Sequence, residues 1–142
     1  MDDNALRLDN QLCFPLYAAS KEIIKRYRPY LDEIGLTYTQ YLTLLVLWEH
    51  KELTVKQLGE KLFLDSGTLT PVVKKLEKQH WVRRRRLPED ERSVVVELTP
   101  EGWELKNKAL FIPHAMAKEM NINEEEATIL YQVLYKILGR TS

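Results

Sequence analysis

Two neighbouring stretches decide how this chain folds: Asp65-Ser-Gly-Thr-Leu-Thr-Pro-Val-Val-Lys-Lys-Leu-Glu77, and Val82-Arg-Arg-Arg-Arg86 with its continuation Ser93-Val-Val-Val-Glu-Leu98. In the first, Leu69, Val72, Val73 and Leu76 recur at helical spacing and leave Lys74, Lys75 and Lys78 outside their face. The helix opens between Asp65 and Thr68, and Pro71 close behind predicts a loosely formed first turn. After Trp81 the period becomes that of strands. Residues 82–86, a polar tip at 87–91 and the valine-rich 93–98 form a hairpin, although the tip lacks the Asn-Gly or Asp-Gly of the tightest turns.

Working outward, Thr54 and Gln57 make a capping box flanked by Leu53 and Leu58, opening a short helix that ends near Leu62. The same signature at Thr37 and Gln40, with Leu36 and Tyr41 as the staple, opens a helix to about Glu49. Its body at 41–48 is apolar nearly all round, which predicts a central position. Leu8, Leu12, Leu16, Ile23, Tyr27 and Leu31 share one helical stripe and predict a long first helix, stopped near Gly35. Beyond the hairpin, Thr99-Pro100-Glu101 starts another helix, Pro113 kinks or breaks it, and Asn123 opens a final one carrying Ile129, Leu130, Val133, Leu134 and Ile137. The expected class is mainly α with a small β-hairpin wing, in one domain spanning 1–142.

The chain has 142 residues, 44% hydrophobic and 30% charged, a composition of globular chains rather than disordered or fibrous ones. Its longest apolar run is far shorter than a membrane span, and no export signal is visible, so no membrane partner is expected. A single cysteine forms no internal disulfide, which suits the cytosol. Formal net charge is zero, yet 73–86 holds seven basic residues against the single acid Glu77, while acids gather near both ends.

A short helix, a tight turn, a second helix with hydroxyl and basic side chains and then a basic hairpin is the order of a winged helix-turn-helix. A major groove about 12 Å wide admits one helix, and long basic side chains on a hairpin reach phosphates or the adjacent minor groove. Ser66, Gly67, Thr68 and Thr70 would meet base edges or phosphates, and Lys74, Lys75 and Lys78 phosphates further along. Taken alone, these hydroxyls could equally be caps and the lysines a solvated face. Four successive arginines at 83–86 point to both faces of a strand, which is costly against a core and natural beside a polyanion.

The 65–77 stretch, the arginines at 83–86, Asp90-Glu-Arg-Ser93 and Leu98-Thr-Pro-Glu-Gly102 together resemble the MarR family of winged-helix regulators. The resemblance implies a homodimer built from the terminal helices at 1–35 and 100–142, and a DNA-binding lobe at 37–98. It also implies a double-stranded operator as partner, Arg84 and Arg86 in a DNA-contacting wing, and an Asp90–Arg92 pair that aims the arginine. His80-Trp81 stands where the family usually ends this helix with glycine; histidine reaches the left-handed conformation more readily than most other residues.

Cys13 lies in Asn10-Gln-Leu-Cys-Phe-Pro-Leu-Tyr17. A lone cysteine beside leucines is most often a small buried hydrophobe. Phenolic donors aimed at sulfur would instead favour the reactive thiolate. Tyr17 is one turn away. Tyr27 lies about 21 Å further along a straight helix and cannot touch Cys13 of its own chain, whereas antiparallel first helices in a two-fold dimer could bring it beside the partner's cysteine. Asn10-Gln-Leu-Cys-Phe with Tyr27 and Leu36-Thr-Tyr38 resembles the one-cysteine, organic-hydroperoxide-sensing (OhrR-like) branch of the family. That resemblance implies Cys13 as peroxidatic cysteine, Tyr27 and Tyr38 as donors from the other subunit, and a low-molecular-weight thiol as trapping partner. Pro15 departs from the usual leucine and is expected to loosen the turns around Cys13. Reversible release by a small aromatic ligand, and a thiol peroxidase, are the competing readings. No His or Asp accompanies Cys13 in a nucleophile motif, and His50, His80 and His114 lack metal-ligand spacing, so no cofactor is expected.

Overall fold

The computed structural model describes residues 3–139, apart from the side chains of Glu91 and Arg92. These residues divide at Phe111 and Ile112 into two compact units. In the first unit, two short 3-10 turns at Asp3–Leu6 and Leu8–Asn10 precede α1 (Cys13–Asp32). The helix therefore begins at Cys13 rather than Leu8, because Gln11 is extended and breaks the stripe. Pro15 is the third residue of α1, where amides have no partner within the helix, so it fits without loosening the turn. Pro29 lies near the other end, and α1 continues past it for three residues before Gly35 (φ 73) turns the chain. The Leu36 N–H donates back to the Leu31 carbonyl at 3.0 Å and closes the end.

The capping boxes at Thr37 and Thr54 both form, opening α2 (Tyr38–His50) and α3 (Val55–Leu62). Helix α2 is central: Leu44 and Leu47 are fully buried, with Leu58 of α3 and Leu69, Val73 and Leu76 of the next helix in the same core. That helix, α4 (Ser66–Lys78), is regular from its start, which corrects the expected loose turn. Asp65 caps it by accepting from the Thr68 N–H, and Pro71 removes only the bond to Gly67, an exposed residue whose carbonyl can be hydrated.

The wing is β2 (Val82–Leu87) and β3 (Asp90–Leu98), joined by a tip of Pro88 and Glu89 that is tighter than the sequence suggested, with an irregularity between Arg86 and Leu87. A further strand, β1 (Glu52–Thr54), pairs antiparallel with β3 to give the order β1-β3-β2. At three residues, inside a capping signal, β1 has too little pattern of its own to be read from sequence.

His80 takes the left-handed turn at φ 65 between α4 and β2. Its carbonyl accepts from the Thr99 hydroxyl at 2.6 Å, and the same hydroxyl oxygen caps α5 (Pro100–Ala109) by accepting from the Gly102 N–H. A side chain at Gly102 would meet the Trp81 carbonyl oxygen at 2.1 Å, and the Gly102 carbonyl accepts from the Trp48 indole at 3.0 Å. Thus α2, α5 and the base of the wing share one junction.

The second unit holds α6 (Ile112–Met120), with Pro113 as its second residue, and α7 (Glu124–Ile137), capped by Asn123. On α7, Ile129, Leu130, Val133 and Ile137 are exposed. No helix of the described residues is long and apolar enough to cross a membrane.

Candidate nucleic-acid interface and thiol site

Opposite the buried Leu69, Val73 and Leu76, the outer stripe of α4 consists of Gly67, Pro71, Lys74 and Lys78, all exposed. Thr70 flanks it on one side, Thr68 and Lys75 on the other. Gly67 has no side chain to hold the backbone off a groove, and Pro71 offers an apolar edge of the kind that packs against a thymine methyl. Pro71 was legible only as a helix breaker. The Thr70 hydroxyl donates to the Ser66 carbonyl at 2.7 Å, leaving its oxygen able to accept.

The wing arginines divide by face. Arg83 and Arg85 lie over β3 and β1, where register sets Glu52 directly opposite Glu97. Two carboxylates side by side repel, and Arg85 relieves this by donating to Glu52 at 2.8 Å and approaching Glu97 at 3.8 Å; Arg83 stands 3.9 Å from Glu97. The hydrogen bond to Glu52 further raises the Arg85 pKa. Arg84 turns to the other face, donates to Glu77 of α4 through Nε at 3.1 Å and brings Nη2 to 3.0 Å from the same carboxylate oxygen as an ion pair. Arg86 is exposed beside it. Asp90 accepts from the Ser93 hydroxyl at 2.9 Å, whereas the expected Asp90–Arg92 pair lies outside the described side chains. Lys56, Ser66, Thr70, Arg84, Asp90 and Ser93, together with Val55, Val73 and Val94, line a cleft of about 430 Å³ between the start of α3, α4 and the wing.

At the start of α1, Cys13 is exposed, unlike the usual buried lone cysteine. Leu8, Leu12, Phe14 and Leu16 around it are exposed as well, an apolar patch of the kind that marks an interaction surface. Tyr17, one turn on, is exposed with the Lys21 ammonium 5.1 Å from its ring centroid. Helix α1 runs unbroken, so Tyr27 stands about 21 Å from Cys13 of the same chain. There Tyr27 packs against Tyr38, with ring centroids 4.8 Å apart. Tyr41 completes the cluster at 5.8 Å from Tyr27. Burial, and after it the neighbouring phenols, raise the pKa of all three, keeping them as O–H donors at neutral pH. The structure thus brings Tyr27 and Tyr38 together and holds both away from Cys13 and Tyr17. Sequence reading missed Tyr41 in this role; its spacing of three from Tyr38 on α2 was the available signal.

A sequence model of the family described as transcriptional regulator SarA/Rot matches residues 20–109. The organic hydroperoxide resistance transcriptional regulator of Bacillus subtilis (strain 168) is 50% identical over 94% of this chain and 90% of its own length. The chain belongs to the MarR/SarA family of winged-helix transcriptional regulators. The HTH-type transcriptional regulator SarZ of Staphylococcus epidermidis is 47% identical over the same shares. Among solved structures, reduced AbfR bound to DNA superposes with a TM-score of 0.79 at 34% identity, covering 98% of this chain and 97% of that one. A mutant MarR from E. coli complexed with operator DNA gives a TM-score of 0.83 at 23% identity, over 97% and 99% of the two chains, a likeness of fold.

As a MarR/SarA regulator, the chain acts as a transcription factor and not as an enzyme. Among its described residues, no group of three His, Cys, Asp or Glu side chains could hold a metal ion. In this regulator the turn between α3 and α4 rests on Gly59, where any side chain would strike the Leu64 carbonyl oxygen at 2.5 Å. The left-handed Phe63 then lets the Leu64 N–H donate back to Gly59 at 2.9 Å. This fixes the angle at which α4 leaves α3.

Proposed function

We propose that this regulator is a homodimeric repressor that binds a pseudo-palindromic double-stranded operator when reduced and releases it when Cys13 is oxidised. The observation that carries the reading is the separation within one chain of an exposed Cys13 from the half-buried, paired phenols of Tyr27 and Tyr38. Antiparallel packing of α1 against its copy would place each thiol beside the other subunit's phenols, with Tyr17 as a local neighbour. The exposed apolar side chains around Cys13 and along α7 supply the contact surface, so residues 1–35 and 100–142 serve dimerisation and 37–98 form the DNA-binding lobe. Ser66, Gly67, Thr68 and Thr70 enter the major groove, Lys74, Lys75 and Lys78 neutralise phosphates, and Arg86 with Asp90 and Arg92 work from the wing. The single cysteine, which suits a reducing compartment, supports action in the cytoplasm.

The thiolate of Cys13 attacks the terminal oxygen of an organic hydroperoxide; the O–O bond breaks, the alkoxide leaves as an alcohol with a proton from solvent, and the cysteine becomes a sulfenic acid. With no second cysteine in the chain, a low-molecular-weight thiol condenses with it, releasing water and leaving a mixed disulfide. The added bulk between the first helices changes the spacing of the two α4 helices by a rigid-body shift. Similarity to the Bacillus regulator, whose name refers to organic hydroperoxide resistance, supports this choice of oxidant.

The test uses a duplex enriched from a random-sequence pool by the reduced protein. Wild type should release it on addition of cumene hydroperoxide with a small thiol, and Cys13→Ser should keep it. Release from Cys13→Ser would overturn the proposal, as would a wild-type protein that stays bound with Cys13 fully oxidised by mass spectrometry.

A further inference from the structure

Glu77 is the only acidic residue in α4, and it stands where the recognition helix hands over to the wing. Its backbone carbonyl accepts from the His80 N–H at 3.0 Å, closing the left-handed exit. Its side-chain Oε1 accepts from Nε of Arg84 and lies 3.0 Å from Nη2 as an ion pair. Only residues 79–81 separate α4 from β2, so one residue fixes both the bend and the strand that leaves it.

The pair is at the surface, with side chains 33% exposed for Arg84 and 37% for Glu77. An acid there, on a helix that reads DNA, repels phosphate unless it is neutralised. To reach a phosphate itself, Arg84 would give up a charge-assisted hydrogen bond and a close ion pair and leave that carboxylate facing the polyanion. We propose that Arg84 is a positioning residue rather than a DNA ligand: with Glu77 it forms a strut that holds the wing at a fixed angle to α4 and masks the only acid of that helix. The inference rests on the reading of α4 and the wing as DNA-binding elements.

The Glu77→Gln/Arg84→Gln double variant removes one charge of each sign and leaves net charge unchanged, so its non-specific electrostatic attraction to DNA is preserved. Binding is measured over a salt series to the duplex enriched by reduced wild-type protein and to a scrambled duplex of equal length. The strut predicts an enriched-duplex affinity lower by about three- to tenfold, the scale of one exposed ion pair per wing, with scrambled-duplex affinity unchanged. It also predicts that Arg84→Gln alone keeps the wild-type salt slope. Wild-type affinity of the double variant for the enriched duplex overturns the strut, as does an equal loss on both duplexes. A slope for Arg84→Gln shallower by about 1.8, one phosphate per subunit of a dimer, makes Arg84 a phosphate ligand and also overturns it. Failure of the wild type to enrich any sequence refutes the DNA-reading assignment first, and the strut with it.

Discussion

Substituting Lys74 and Lys78 by glutamine removes both cations from the outer stripe of α4 while leaving Leu69, Val73 and Leu76 untouched beneath. Each exposed cation that neutralises a phosphate contributes about −0.9 to the slope of log affinity against log salt. If Lys74, Lys75, Lys78 and Arg86 each engage a phosphate in both subunits, the wild-type slope is about −7, and affinity falls roughly ten thousandfold between 50 and 200 mM salt. The Lys74→Gln/Lys78→Gln variant loses half of those contacts, so its slope should be about −3.6 and its fall over the same range about a hundredfold. Fluorescence anisotropy with the enriched duplex measures both slopes. Thermal stability should move little, since exposed substitutions away from caps and cores typically change it by less than about 0.5 kcal/mol. An unchanged slope in the variant would refute the orientation of α4 towards DNA. A wild-type slope near zero would refute phosphate contacts altogether.

Tyr27→Phe or Tyr38→Phe should slow oxidation of Cys13 by about ten- to a hundredfold, the worth of one hydrogen bond to a charged acceptor, read from the rate of sulfenate trapping; rates equal to wild type would remove these phenols from the sensor. Gly102→Ala forces a methyl group onto the Trp81 carbonyl and should destabilise the fold by roughly 1–3 kcal/mol in urea denaturation, an overpacking cost; a midpoint equal to wild type would contradict the tight junction. Hydrogen bonds from the Thr68 side chain and backbone hold the Asp65 carboxyl below its ordinary pKa, so its stabilisation is present above about pH 4 and is lost as pH falls through the lowered value. The melting temperature of Asp65→Ala should accordingly lie below wild type at pH 7 and converge with it in acid; a gap that stays constant down to pH 2 would disprove the cap.

Much of this protein was legible in one dimension because the deciding signals are local. The capping boxes at Thr37 and Thr54, the cap at Thr99 and the change of period after Trp81 each depend on residues within a few positions of one another, and all of them form. Likewise the outward lysines of α4 follow from helical spacing alone. Helix continuity also separates Cys13 from Tyr27 within one chain, because rise per residue is a property of the backbone and not of the fold. Other features depended on partners distant in sequence. β1 exists only because β3 offers it a ladder. The four arginines of 83–86 read as a single block of charge, yet strand alternation and sheet register bind Arg83 and Arg85 to the carboxylates of β1 and β3 and turn Arg84 onto α4. Tyr41 joined Tyr27 and Tyr38 in the same way, through the packing of α2 against α1. Sequence fixes which charges and rings a segment carries, since these are covalent and local; which of them are spent on one another is a matter of distance, and only the tertiary structure sets those distances.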